Sequence, residues 1–152
     1  MRRFLVLGAV CFAMVAGTAM AQEHWTEGPV WMCTSIRTTP GHFDDYMKYL
    51  RGDYNKVQQE SIKQGLFLDE KIFVKAPANP NDYDVLICEL FASAGKALDY
   101  SASDDAKGKE IAASIYKTGD EDKQQEMMKP RFEMRTILGN EMVREVKLKP
   151  LP

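Results

Sequence analysis

From Val30 to Ile36 the chain alternates Val30, Met32, Thr34 and Ile36 with Trp31, Cys33, Ser35 and Arg37, which predicts a β-strand over 30–38. Both faces carry large or apolar side chains, as expected of an interior strand covered on two sides. After the break at Thr39-Pro40-Gly41 the period changes. Phe43, Tyr46, Met47, Leu50, Tyr54, Val57 and Ser61 recur at helical spacing, while Asp45, Lys48, Arg51, Asp53, Lys56, Gln59 and Lys63 fill the intervening positions. That pattern predicts an amphipathic helix lying on a sheet. Asp44 and Asp45 suit its positive end, and Gly65 offers a left-handed stop. Gly52, inside the helix, costs about 1 kcal/mol relative to alanine.

Two further strands are predicted over 66–75 and 83–91, joined by the turn-forming 76–82 and paired as an antiparallel hairpin. From Ser93 to Leu138 the pattern is helical but broken. It predicts a short helix over 94–100, a second capped by Ser103-Asp104-Asp105 and running to Lys117, and a third over 120–129 ended or bent by Pro130. A last strand spans 140–149. The order β-α-β-β-α(αα)-β is that of an α+β, ferredoxin-like split βαβ domain. Its four antiparallel strands would run 4-1-3-2 with helices on one face. One helical layer leaves the second apolar face of the first strand to be covered, so a homodimer is expected.

Composition changes this picture mainly at the ends. Met1-Arg2-Arg3, the apolar run from Phe4 to Val15 and the small-residue site at Ala19-Met20-Ala21 read as a signal peptide over 1–21. Residues 22–29 follow as a loose lead-in, and 30–149 form one domain. Periplasmic or secreted location follows, with no membrane attachment after cleavage. Without the leader, the 152-residue chain keeps 131 residues and 18 Lys+Arg against 22 Asp+Glu, a net charge of −4. No basic cluster interrupts this acidic balance, which argues against nucleic acid. Cys33 and Cys88 remain, both in strand-like runs where two buried thiols are the favoured reading, although an oxidising compartment permits a disulfide.

The motifs Thr39-Pro40-Gly41-His42-Phe43-Asp44-Asp45-Tyr46, Asn79-Pro80-Asn81-Asp82-Tyr83-Asp84 and Arg135-Thr136-Ile137-Leu138-Gly139, behind an export signal, resemble an uncharacterised group of exported bacterial proteins. That group belongs to the dimeric α+β barrel superfamily. The resemblance implies two sheets joined into a barrel, with ligands held between a sheet and its helices. It spans cofactor-free monooxygenases, isomerases and haem enzymes. The haem enzymes carry their ligating histidine in the second half of the domain, where this chain has none, so no haem or other cofactor is carried over.

Candidate chemistry is sparse. His42, in the first turn of the long helix, is a candidate base. Glu89 shares a strand face with Val85, Ile87 and Phe91, and Arg144 shares one with Met142, Val146 and Leu148. If both face one cavity, they can bind a polar group, or Glu89 can move a proton from a raised carboxyl pKa. Trp31, Tyr46 and Tyr49 are the candidate aromatic wall for a small apolar or aromatic ligand. No CxxC, HExxH, G-x-S-x-G, phosphate loop or calcium loop occurs, so no metal site is expected. Three readings remain: a dimeric small-molecule binder, a cofactor-independent monooxygenase or isomerase using His42 or Glu89, and a structural dimer without a pocket.

Overall fold

The computed structural model describes residues 24–151, so the signal peptide expected over 1–21 lies outside the described residues. The strands are β1 (Trp25–Thr38), β2 (Asp69–Val74), β3 (Val85–Phe91) and β4 (Arg135–Leu148). Between β1 and β2 run α1 (Phe43–Tyr49), a π-helical turn over Leu50–Tyr54 and α2 (Asn55–Lys63). Between β3 and β4 run α3 (Ala94–Leu98), α4 (Ala102–Tyr116), α5 (Glu121–Met128) and α6 (Pro130–Met134). The domain is α+β, with one open, four-stranded antiparallel sheet in the order β2-β3-β1-β4.

β1 begins at Trp25, inside the segment expected to be a loose lead-in, because β4 is equally long and the two strands pair almost end to end, from Trp25↔Leu148 to Thr38↔Arg135. Gly28 and Pro29 hid this strand. The register slips between Glu27 and Val30, and at this bulge proline's missing N–H is tolerated. Glycine suits position 28, since a Cβ there would stand 3.0 Å from the Glu145 carbonyl oxygen, closer than side chains ordinarily approach. At the other end of β1, the buried Asp84 carboxylate accepts from the Thr38 backbone N–H (2.9 Å) and hydroxyl (2.5 Å), tying the start of β3 to β1.

The predicted long helix is present but interrupted. At Gly52 the backbone leaves helical geometry (ψ −131°), and a π-helical turn joins α1 to α2. The glycine expected only as a cost is the point where the helix changes register. Gly65 stops α2 with φ +74°, as its spacing suggested. Further along, Ser101 rather than Ser103 caps α4, and Asp120 caps α5. α5 ends at Met128, just ahead of Pro130 as expected, and Pro130 then opens α6, consistent with its preference for the first helical position.

Ile36, Val85 and Ile87 of the sheet meet Tyr46 and Leu50 of the helix in a buried core, with Met47, Tyr49, Tyr54 and Met134 packed around it. The opposite sheet face carries Trp31, Cys33, Leu86, Cys88 and Leu90, which alternate with the core-facing residues. Cys33 and Cys88 lie directly opposite in the β1–β3 register and are joined by a disulfide. This corrects the reading of two thiols. Both cysteines are buried as expected, at 5% and 3% exposure, but pairing depends on a register that spacing alone does not give.

The bridge closes a long loop, separating its cysteines by 55 positions. Replacing both cysteines by serine is expected to lower unfolding free energy by roughly 2–4 kcal/mol, chiefly by freeing the unfolded chain. Urea denaturation with and without reductant measures this, and reductant should change the wild type but leave the double variant unaffected.

Candidate functional site

A polar cluster is set into the otherwise apolar helix–sheet interface. The β2–β3 register places Glu70 directly opposite Glu89. Tyr54 and Gln58, four positions apart, lie on one side of the helix above them. Gln58 Nε2 lies 2.6 Å from Glu89 Oε1 and 2.9 Å from Glu70 Oε1, donating to both carboxylates. The Tyr54 hydroxyl donates to Glu70 Oε1 at 2.6 Å and itself accepts from Gln58 Nε2 at 3.1 Å. Gln58 is buried, so this amide has exchanged water for the two acids and the phenol.

Burial pushes the Glu89 carboxyl above its ordinary value of 4.5, and the neighbouring Glu70 charge adds to the rise, while the Gln58 hydrogen bond opposes it. Burial also raises the Tyr54 hydroxyl strongly, helped by its bond to Glu70, and so keeps it a neutral donor. Glu89 is thus suited to holding a proton, and when ionised it is a stronger base than an exposed glutamate.

Beside this cluster runs an open groove of about 630 Å³ between the helix and the edge of the sheet, lined by Met47, Leu50 and Ile72 with Asp44, Lys48, Arg51 and Asn55 around them. Leu50 and Asn55 flank the Tyr54 turn, and Ile72 lies two positions from Glu70 on the same face of β2. An apolar floor with a charged rim suits a small organic molecule carrying a polar end.

The residues expected to form a site are only partly brought together. Glu89 belongs to the cluster. Arg144 shares its sheet face but sits diagonally across β1, paired with Val30 where Glu89 is paired with Met32, and bonds Glu27 Oε2 at 2.5 Å. Tyr46 is fully buried in the core, its hydroxyl accepting from Arg135 at 2.6 Å, and Tyr49 stacks on it with ring centroids 6.2 Å apart. Trp31 is on the opposite face, donating to Glu145 Oε1 at 2.8 Å beneath the Lys71 ammonium, so it cannot share a helix-side wall with Tyr46. His42 is exposed at the start of α1, with Nδ1 3.3 Å from Asp45.

Gln58 and Glu70 were not singled out by the sequence. Glu70 carries the signal that marked Glu89, a lone charge on the face of Ile72 and Val74. Gln58 lies on the helix side of Tyr54 and Ser61, but an uncharged polar residue there gives a weaker signal than a lone acid on a strand face. No protein-family model matches the chain, and no curated protein sequence matches it.

The raised Glu89 carboxyl has a definite consequence for stability. An acid that holds its proton more tightly when folded contributes stability below its unfolded pKa and loses it as pH rises through the folded one. Glu89→Gln keeps an acceptor for Gln58 without the charge. Its stability relative to wild type should therefore increase as pH climbs from 4.5 through the Glu89 titration, then level off. Urea midpoints across that range measure this, and a pH-independent difference would remove the assignment.

Proposed function

We propose that this chain is the subunit of an exported homodimeric α+β barrel of ferredoxin-like plan. Its role is to bind a small, largely apolar or aromatic molecule between the long helix and the sheet. The observation that carries this reading is the groove, whose volume falls within the usual range of small-molecule sites and whose floor is apolar. Dimerisation is supported by the sheet face turned away from the helices, where Leu86, Leu90 and Trp31 accompany the exposed Phe73 and Val143. Export is supported by the basic-apolar leader and by a disulfide, a bond that persists in oxidising compartments. The motif resemblance to the dimeric α+β barrel superfamily points the same way.

A second reading, a cofactor-independent isomerase or monooxygenase, is favoured by one feature, the raised Glu89 carboxyl beside Glu70 close to the groove. Here Glu89 rather than His42 would take the proton, because His42 stands exposed against Asp45.

The binding reading predicts that the fluorescent aromatic probe anilinonaphthalene sulfonate binds the folded protein saturably at the groove. Ile72→Glu places a charge on its floor from a partly exposed edge-strand position. It is expected to weaken the probe roughly tenfold, the order expected for losing one buried aliphatic contact, with the circular dichroism spectrum unchanged. Equal affinity in the folded variant would contradict the placement.

A further inference from the structure

Met47 and Leu50 line the groove on the helix side and Ile72 lines it on the sheet side, which makes its floor apolar. Lys48 and Arg51 line the same groove. Three positions apart across the junction of α1 and the π-helical turn, they are neighbours on the helix surface, and both are exposed. In a chain with a net charge of −2, two cations thus meet at the rim of an apolar site.

The acids of this helix do not neutralise them. Asp45 lies against His42 at 3.3 Å, and Asp53 is held by Lys56 at 2.8 Å. Asp44 lines the groove four positions before Lys48, in the first turn of α1, where the helix dipole already favours a carboxylate. Among the described residues, neither Lys48 nor Arg51 forms an ion pair with it or with any other acid. The rim therefore carries two cations against one acid. On the sheet side the sign is opposite, because Glu70 precedes Ile72 by two positions on the same face of β2, beside Glu89. A ligand's acid group is repelled there and attracted at Lys48 and Arg51, so the charges also set which way round the ligand lies.

We propose that the groove selects organic acids: an apolar or aromatic body packs on Met47, Leu50 and Ile72, and one carboxylate is held at Lys48 and Arg51. This selectivity rests on the groove being a small-molecule site, and it adds the charge and the orientation of the ligand. A planar guanidinium matches a carboxylate with two parallel hydrogen bonds, and the Lys48 ammonium supplies a second charge. Because both cations are exposed, salt screens the attraction.

Isothermal titration of the full chain at neutral pH and low ionic strength, with 2-naphthoate and with its uncharged near-isostere 2-naphthamide, tests the proposal. Naphthoate is expected to bind roughly tenfold tighter, an advantage that shrinks in about 0.5 M sodium chloride. The double variant Lys48→Gln with Arg51→Gln should lose that advantage and keep its affinity for naphthamide. Both positions are exposed and glutamine is a good helix former, so an unchanged circular dichroism spectrum is expected. Ile72→Glu should weaken both probes, and the exposed-surface control Lys123→Gln neither. Equal affinity of the wild type for the two probes, or an advantage that survives in the double variant, would overturn the selectivity, while weakening of both probes by Ile72→Glu would still uphold the groove. No saturable binding of either probe to the wild type would remove the groove reading and the selectivity with it.

Discussion

The rest of the structure depends on the pairing of β1 on both of its edges. β3 on one side and β4 on the other make it the common partner of every long-range contact in the sheet except the β2–β3 ladder. Because side chains alternate, a one-residue slip of β3 against β1 would carry Glu89 out of the helix-side interface and break the register that aligns Cys33 with Cys88. The disulfide therefore covalently fixes the register that places the acid. Sheet geometry and candidate chemistry are in that sense one constraint.

What the register delivers is a charge pair where an apolar core would be simpler. Leu50, Ile72 and Ile87 could have continued the hydrophobic interface along β2 and β3, yet Glu70 and Glu89 stand side by side with one buried amide and one phenol to satisfy them. Gln58 is the keystone, since its single amide nitrogen contacts Glu89, Glu70 and Tyr54. The π-helical turn at Gly52 lies in the segment carrying Tyr54, and an unbroken α-helix would present Tyr54 and Gln58 at a different angle to the sheet. Irregular backbone and buried polarity thus coincide beside the groove.

The strand and helix periods were legible because they follow from burial: the alternation over 30–36 and the Phe43-to-Ser61 stripe lie on elements that are present. The ends were less legible. Gly28 and Pro29 look like a loop, and only pairing with β4 reveals them as a bulge in a longer strand. The candidate site divided similarly. Glu89 stood out as a charge on an apolar face, whereas its partnership with Gln58 and Glu70 needed tertiary register. Trp31 and Tyr46 look alike in composition but occupy opposite sides of the sheet, so the expected aromatic wall does not form.

One sheet face is packed by helices, while the other carries Trp31, Leu86 and Leu90 with the exposed Phe73 and Val143. A single subunit leaves that apolar surface to water, and a second copy is the cover proposed for it. Native mass spectrometry of the protein purified from its own cells at micromolar concentration, with the disulfide intact, tests this most directly. A homodimer is expected, and an added mass of a small molecule would identify what the groove carries. A monomer under those conditions would contradict the dimeric assembly.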